Sequence, residues 1–544
     1  MGTRLELLLT RRSFLGHVAL GSAVGLLAAC GGSEAEESGQ QGAAPTTSAT
    51  DGGEATTVSP STETGGATTA TLIIAQDTDA VTMDPMMTHT SETFVVLENM
   101  FEPLVNWGAD GELVPVLAET WEQVDDTTIE FKLRSGVTFH NGEEVTADTV
   151  KFSFDRVLVP EIVSPATAYF KRAGIAATVV DPSTIRVTTS GPYAATLPTL
   201  TQAYIVPPGY LEEVGPEKFA QEPVGTGPYK FGEWVKDQRV VLERNDDYWG
   251  GAPQIQTATF RPIPEPTSRL AALEVGEVDF ISNVPLDNAS QVEEGADTKL
   301  VVRDGSHLYL GLQQLRPPFD DQRVRQAVNH AVDVESIISG LMQGRVTRLP
   351  GAVFPGTLGF DPALTPYAYD PERASQLLTE AGYPDGFDTE LFYAPNLGGT
   401  SKLKELAEVV AEELKAVKIN VKLTSLEIAA FNQRVSTGDY PMYFYVWTSP
   451  AAAAQYLELL FSSKTRGWYY QNPDADQLID QYFATLDDQQ REDVGLELNQ
   501  FLFEEAPWLF MFQYPYGYGL RNNVSWDGQP SFVRAINIAT IEKS

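Results

Sequence analysis

The residues best suited to contacting a small molecule lie in one aromatic segment, Tyr443–Pro450. Successive side chains of a β-strand point to opposite faces, so Tyr443, Tyr445 and Trp447 would share one face. Ligands of α/β sheets bind beyond the carboxyl ends of the strands, where Trp447 would stand. Core packing of a buried parallel strand is the alternative explanation of the same pattern. The other ligand-binding candidates of this segment are Tyr445, Thr448 and Ser449.

Histidine is the residue type that most often binds metals or transfers protons near neutral pH. The four histidines beyond the first thirty residues are scattered, without the paired spacing of metal ligands. We therefore predict no metal site and no cofactor. His89 and His307 remain candidates for ligand contact, because we expect their segments to border a cleft. The four residues are His89, His140, His307 and His330.

The sequence gives little support to catalysis. It contains no Gly-x-Ser-x-Gly elbow, which a hydrolase of the common Ser-His-Asp type would need. Pairs of carboxylates occur by chance among so many acids, so they do not indicate a glycosidase. Gly225–Pro228 has the glycines of a phosphate loop, but no Lys-Ser/Thr follows, and Pro228 lacks an N–H donor. We interpret it as a turn, and a secreted hydrolase of peptides or glycans remains the alternative function.

The chain is strongly acidic. It has 37 Lys+Arg, 74 Asp+Glu and a formal net charge of −37. Such a surface repels nucleic acid, whose binding depends on Lys and Arg neutralising phosphates. It also disfavours peripheral binding to anionic lipid. The single cysteine excludes a disulfide framework and a thiolate metal site.

The amino terminus has the pattern of an export signal. Three arginines precede the apolar stretch Val18–Ala29, which is too short to span a membrane but suits a signal peptide. Thr10–Leu15 resembles the twin-arginine motif, although a Sec signal can also carry two arginines. Leu27–Cys30 resembles a lipobox. We predict cleavage after residue 29, which would leave a net charge of −39, and lipidation of Cys30, followed by a flexible tether through residue 70.

The remaining 475 or so residues suit two or three domains, on a prior of ~150 residues each. In the first half, alternating apolar and polar residues predict strands at 129–134, 184–188 and 240–244, and Val278–Ile281 is a further short one. Thr267–Gly276 is predicted as a helix. These elements indicate a mixed α+β region.

The second half shows α/β units. Asp370 can cap a helix that starts at Pro371, and Gly382 can end it in the left-handed conformation. A strand at Thr389–Tyr393, a helix at 403–417 and a strand from Ile419 to Leu423 form a βαβ unit, which requires parallel strands. A strand at Met442–Trp447, helices at 474–486 and 490–505, and a strand at Trp508–Gln513 follow.

Ten segments resemble the family 5 extracellular solute-binding proteins, which serve dipeptide, oligopeptide, nickel and related importers. Each match is weak alone, but their order and spacing together are specific. The segments are Thr82–Pro85, Asn99–Val105, Pro115–Trp121, Phe131–Arg134, Phe139–Gly142, Thr146–Val150, Pro223–Tyr229, Arg244–Trp249, Val324–Val328 and Asp370–Tyr383.

The resemblance implies a large two-lobed periplasmic-binding-protein fold of the α/β class, with a mixed α+β first lobe and a hinge. One lobe would comprise residues 71–305 plus 508–544, with an inserted subdomain near 112–222. Residues 306–507 would form the other lobe. A small solute, a peptide or an oligosaccharide, would bind between the lobes of a monomer and pass to an ABC permease and ATPase complex outside the cytoplasm.

The resemblance also bears on the solute. Members that take dipeptides carry an Asp shortly after the tryptophan matching Trp447, where it pairs with the peptide's amino group. Here Trp447 is followed by hydroxyl and apolar residues, with no carboxylate before Glu458. A buried ammonium group needs a charge partner. We therefore expect no recognition of a free amino terminus at that position, and favour a neutral or stacked ligand.

Overall fold

The computed structural model describes residues 70–544 apart from 89, 109–110, 165, 396, 449–453, 468–469, 527 and 529–535. The described residues belong to one compact unit, Ala67–Ser544. The predicted signal peptide, the lipidated Cys30 and nearly all of the tether lie outside them, as do the candidate site residues His89 and Ser449.

Most strands join one large mixed sheet. Its order is β15-β14-β16-β12-β17-β11-β1-β10-β9-β8, with β13 paired to β17. A separate four-stranded sheet has the order β4-β5-β7-β6, and β2-β3 and β18-β19 form two small antiparallel pairs. The strands are β1 (Thr71–Gln76), β2 (Val105–Trp107), β3 (Leu113–Pro115), β4 (Ala118–Asp125), β5 (Thr128–Leu133), β6 (Ala176–Asp181), β7 (Thr184–Thr188), β8 (Tyr229–Val235), β9 (Arg239–Arg244), β10 (Thr257–Pro262), β11 (Phe280–Ile281), β12 (Thr298–Leu312), β13 (Thr347–Arg348), β14 (Phe387–Tyr393), β15 (Ile419–Ser425), β16 (Met442–Trp447), β17 (Trp508–Arg521), β18 (Val524–Ser525) and β19 (Glu542–Lys543).

Helices pack against these sheets, and the longer ones follow the predicted periodicity. Short 3₁₀ turns occur at Leu286–Asn288, Leu397–Gly399 and Ile538–Thr540, and a π-helical turn at Ile337–Leu341. The α-helices are α1 (Ser91–Leu97), α2 (Ala147–Val157), α3 (Ala166–Ala173), α4 (Thr196–Leu200), α5 (Pro208–Val214), α6 (Pro216–Phe219), α7 (Pro266–Glu274), α8 (Ala289–Glu293), α9 (Gln322–Ala331), α10 (Val334–Ser336), α11 (Pro371–Glu380), α12 (Leu403–Ala416), α13 (Ile428–Thr437), α14 (Gln455–Phe461), α15 (Ser463–Arg466), α16 (Pro473–Ala484) and α17 (Asp488–Glu505).

Two long antiparallel strands, β12 and β17, connect the two halves of the large sheet. Thr298 pairs with Arg521 at one end of this ribbon, and Gly311 pairs with Trp508 at the other. β12 also pairs with β16, while β17 also pairs with β11. The register shifts between Arg303 and Ser306. Both strands therefore cross between the halves of the sheet, and this bulge is a natural place for a bend.

The predicted βαβ unit is confirmed, because β14 and β15 are parallel and α12 connects them. The apolar stripe of α12 faces the core. Burial of each such aliphatic side chain contributes about 1.5–3 kcal/mol, which fixes α12 on the sheet. Asp370 caps α11 through the Arg373 amide, as predicted, and Gly382 has a positive φ of 94°. The buried stripe of α12 is Leu403, Leu406, Ala407, Val410 and Leu414.

The four-stranded sheet follows from its alternating pattern. Ile129, Phe131 and Leu133 are buried on one face of β5. The helix α2 that packs near it begins with a capping box formed by Thr146 and Thr149. Thr146 is therefore the residue that caps this helix. Asp148 lies inside the first turn, where a negative charge interacts favourably with the helix dipole.

Two predicted strands differ in length from those observed. The strand expected at Val278–Ile281 is reduced to the two residues of β11, because only these pair with β1 and β17. The strand expected at Trp508–Gln513 instead extends to Arg521, because β12 pairs with it along nearly its whole length. Pairing with a distant partner decides strand length, and one segment's composition does not reveal it.

Candidate functional site

The carboxyl ends of parallel strands from both halves of the sheet approach the same stretch of β17. β16 ends at Trp447, which pairs with His307, and His307 pairs with Gln513. From the other half, the chain leaving β11 donates the Val284 amide to the Gly517 carbonyl, 2.9 Å away. Gln513 and Gly517 are about 13 Å apart at the rise of a β-strand. This gap, with strand ends on both sides, is the geometry at which α/β proteins bind ligands.

Trp447 stands at the edge of this gap. Its side chain is 7% exposed, and its ring centroid lies 6.1 Å from that of Tyr456. The buried indole Nε1 has no acceptor within the described part of the chain. Buried polar groups nearly always have a partner, so an Nε1 without one can donate to a bound molecule. Thr448 and Tyr445, the two neighbouring candidates, are half-buried.

His307 lies at the same edge of the gap as Trp447, and it is neutral and tightly packed. This edge, with its aromatic side chains, is called the aromatic wall. It is 2% exposed, and its ring stacks on Phe354 with centroids 3.9 Å apart. Burial lowers the pKa of His307 to about 3, although the Trp447 backbone nearby favours the protonated form. Neither ring nitrogen makes a well-formed hydrogen bond to any described residue. His307 can therefore offer one donor and one acceptor without charge.

A layer of aromatic rings supports Trp447 and His307 from behind. Phe354 stacks on Tyr456 with centroids 4.2 Å apart, and the Phe354 amide donates to the Tyr456 hydroxyl at 2.7 Å. Tyr309 stacks on Trp508 at 3.8 Å and contacts Tyr445 at 5.7 Å. Phe354, Tyr456 and Trp508 were not predicted, because they come from segments distant in sequence. Only their aromatic type could have drawn attention to them.

Tyr443 shares the face of Tyr445 as predicted, but it belongs to the core. It is fully buried beside Gly311. A Cβ built on Gly311 would lie 2.1 Å from the Tyr443 ring, so this close approach requires glycine. For Tyr443 the alternative explanation, packing of a buried strand, is the correct one. The wall therefore passes from buried core at Tyr443 to the edge of the gap at Trp447.

The opposite edge of the gap carries polar groups that the sequence did not single out. Gln76, at the carboxyl end of β1, is 2% exposed, and its Oε1 has no donor among the residues described. Asp77 follows it; Oδ2 accepts a 2.8 Å hydrogen bond from Asn283, while buried Oδ1 has no described donor. The feature of the sequence that could have identified them as site residues is their position at the carboxyl end of β1. The two edges thus differ in chemistry, one aromatic and neutral, the other rich in acceptors.

A cavity of about 730 Å³ lies between the four-stranded sheet region and the helices that follow Trp447. Its wall includes Arg172, Tyr193 and Glu458. Arg172 forms an ion pair with Glu458, and the Tyr193 hydroxyl donates to Glu458 Oε2 at 3.0 Å. Burial raises the pKa of Glu458 to about 6, against the opposing effects of Arg172 and Tyr193. The cavity adjoins α14, whose Tyr456 contacts Trp447, and its lining includes neither Trp447 nor His307.

Two further properties of the described residues concern metals and membranes. They contain no group of three or more His, Cys, Asp or Glu side chains placed to hold a metal ion. Within the same residues, no helix has both the length and the apolar character needed to cross a lipid bilayer.

The architecture and the gap define the class of protein, a two-lobed binding protein with strands crossing between its lobes. Residues 112–470 match the model of the bacterial extracellular solute-binding proteins, family 5 Middle. The chain belongs to this family, whose members are the substrate-binding proteins of ABC transporters. The predicted fold class is thereby confirmed, as is the prediction that the chain is a solute-binding protein and not an enzyme.

Three relatives illustrate the likeness. The glutathione-binding protein GsiB of Pectobacterium atrosepticum is 28% identical over 458 residues, covering 81% of this chain and 88% of that protein. The periplasmic binding protein DppA of Helicobacter pylori, solved with the peptide STSA, is 27% identical with a TM-score of 0.76, covering 87% and 98%. NikA of Brucella suis, solved with Fe(III)-EDTA, is 26% identical with a TM-score of 0.77, covering 87% and 100%.

The predicted lobe boundaries and the predicted ligand contacts remain predictions. The structure brings Tyr445, Trp447, Thr448 and His307 together at one edge of the gap. His89 and Ser449 lie outside the described residues, so their relation to this edge stays an expectation.

Proposed function

We propose that this chain is the lipid-anchored, extracytoplasmic receptor of an ABC importer, which captures an oligopeptide or another small solute in the gap over β17. One observation carries the proposal: the end of β16 and the chain leaving β11 reach the β12–β17 ribbon, from opposite halves of the sheet, at positions about 13 Å apart along β17. Closure of the two halves around a solute would shift the population towards a compact form that the permease recognises. Cys30 would hold the receptor at the membrane.

The chemistry of the two edges bears on the solute. Trp447 and His307 offer an uncharged aromatic surface with buried hydrogen-bonding nitrogens. Gln76 and Asp77 offer acceptors on the other side. A peptide held mainly through its backbone satisfies both edges, because each peptide unit presents a donor and an acceptor. The relatives named for glutathione and solved with a peptide support this class, and an oligosaccharide stacked on Trp447 is the other solute we expect.

The deciding experiment identifies the solute directly. The protein is purified from its native host, and the molecules released on denaturation are analysed by mass spectrometry. Calorimetric titration then measures the affinity of the recovered compound, of reduced glutathione and of the tetrapeptide Ser-Thr-Ser-Ala. We expect a peptide or saccharide to be recovered unchanged and to raise the melting temperature by mass action. Chemical conversion of the added compound would contradict a transport receptor.

Two controls sharpen the solute assignment. N-acetylated and free forms of the same peptide are compared, because the segment after Trp447 lacks a carboxylate. We expect acetylation to leave affinity within about threefold, well below the tenfold that 1.4 kcal/mol would give. Small-angle scattering with and without solute measures closure as a smaller radius of gyration. A solute that binds without any compaction would contradict the hinge.

A further inference from the structure

Residues of the four-stranded sheet region are joined to the helices after Trp447 by buried polar contacts. Arg172 pairs with Glu458, and its guanidinium lies 3.9 Å from Asp480. Tyr193 donates to Glu458 at 3.0 Å and stacks on Phe483 with ring centroids 5.5 Å apart. Glu458 is only 2% exposed. A carboxylate buried this deeply is tolerated only with such partners.

A second set of contacts lies one helical turn earlier on α14. Gln202 donates to Gln455 Oε1 at 3.0 Å, and Gln455 donates in turn to Thr199 at 2.8 Å. A further contact involves α16, where the Phe483 carbonyl accepts a 2.7 Å hydrogen bond from the Ala194 amide. Positions three apart lie on the same face of a helix, so Gln455 and Glu458 present one polar face of α14. The clasp is defined as Arg172, Tyr193, Ala194, Thr199 and Gln202 with Gln455, Glu458 and Phe483.

The clasp determines where α14 sits, and α14 supports the aromatic wall of the gap. Tyr456, on the same helix, contacts Trp447 and stacks on Phe354, which in turn stacks on His307. We propose that the clasp residues are positioning residues for the solute site, and that protonation of Glu458 tightens the clasp. The effect on solute affinity rests on the function proposed above, whereas the clasp itself does not.

The direction of the pH effect follows from the difference in the pKa of Glu458 between the clasped form, where the carboxyl is buried, and an open form, where it would have its usual pKa. Its pKa is raised to about 6 by burial in the clasp, against a usual value of 4.5. The clasped form therefore binds the proton more tightly, and acidification from pH 7.5 to 4.5 should favour it by roughly 15-fold. Arg172 keeps Asp480 as a neighbour after protonation. The charged and titratable groups that line the cavity together with Glu458 are Tyr169, Lys171, Arg172, Tyr193, Lys464 and Asp480, of which Arg172, Tyr193 and Asp480 act on its pKa.

Hydrogen exchange of the Ala194 amide reports the clasp directly, because its acceptor is the Phe483 carbonyl. The assay uses the full mature chain without added solute, and rates are corrected for the intrinsic pH dependence of exchange. Glu458→Gln imitates the protonated carboxyl, so protection at Ala194 should be retained and should lose its dependence on pH. Glu458→Ala should lose at least tenfold in protection. Glu497→Gln, at an exposed position of α17, is the matched control and should behave like the wild type.

A rescue separates charge pairing from simple packing. Arg172→Ala leaves an unpaired buried carboxylate and should lower protection at Ala194 at pH 7.5. Adding Glu458→Gln to Arg172→Ala removes that charge and should restore most of the protection. Exchange of the β16 segment, residues 442–447, should rise in Glu458→Ala and not in Glu458→Gln if the clasp positions the wall.

Equal protection in the wild type and Glu458→Ala, or an identical pH profile in Glu458→Gln, would overturn the clasp. Affinity is measured in the same variants with reduced glutathione and Ser-Thr-Ser-Ala. A chain that binds neither compound yet shows the expected exchange would contradict the proposed solute class and leave the clasp standing. The two failures are therefore distinguishable.

Discussion

Replacement of Trp447 by phenylalanine tests the solute site at a single atom. Trp447 Nε1 is buried and has no acceptor in the described residues, so within the protein its loss breaks no hydrogen bond. The smaller ring leaves a small void near Tyr456, which should cost about 1 kcal/mol of unfolding free energy. A solute acceptor that bonds to Nε1 would lose about 1–2 kcal/mol of binding free energy, a decrease in affinity of roughly 5- to 30-fold.

The matched control is Trp526→Phe. Trp526 is 6% exposed, its Nε1 likewise has no partner in the chain as described, and its ring packs on Phe280 and Tyr518 in the other half of the sheet. Both variants should lose similar stability in urea unfolding. Only Trp447→Phe should lose affinity in calorimetric titration with the recovered solute. Equal affinities for Trp447→Phe and the wild type, or equal losses in both variants, would refute the assignment.

Three further predictions concern anchoring, pH and the crossing strands. Cys30→Ser should move the protein from the membrane to the soluble fraction with an unchanged melting temperature, and full retention on membranes would argue against a lipid anchor. Burial raises the pKa of Glu102 to about 6, so the folded protein binds this proton more tightly than the unfolded chain. The group therefore contributes up to about 2 kcal/mol of stability, which is complete below pH 4.5 and is lost as pH rises through 6. In urea unfolding at a series of pH values, Glu102→Gln should remove this pH dependence. Gly305→Ala should destabilise the protein by about 1–3 kcal/mol, because a Cβ there would lie 2.0 Å from the Tyr514 carbonyl oxygen, whereas Gly340→Ala, with nothing within 4 Å, should be tolerated.

Local periodicity was sufficient to predict much of the second half of the chain. The apolar run Met442–Trp447 and the stripe in α12 gave correct elements with nearly correct ends. The run is bounded and rich in aromatic residues, and the stripe of α12 is long and strongly periodic, so local sequence is enough to indicate both elements. The carboxyl-end rule then located Trp447 at the edge of the gap, before any partner strand was known.

Features that depend on long-range pairing could not be predicted. Glu458 was singled out only as the first carboxylate after Trp447, yet it contacts Arg172 and Tyr193, which lie more than 260 positions earlier in the chain. For the same reason β11 is shorter and β17 is longer than predicted, because the partner strands determine how far each one extends. A capping residue is similarly ambiguous when Thr146 and Asp148 are both suitable, and the backbone conformation decides between them.

The arrangement of β12 explains why the site and the bend are neighbours. The bulge between Arg303 and Ser306 immediately precedes His307, so the strand changes its partners where the wall begins. Beyond the bulge β12 pairs with β16 as well as β17, and Leu308–Leu312 is fixed on both sides. On the other side, Gly517 and Gly519 of β17 allow Val284 and Ile281 to pack closely. Strand pairing thus holds β12 on both sides beyond the bulge, so we expect the bend between the halves, and with it any change in the width of the gap, to centre on Arg303–Ser306.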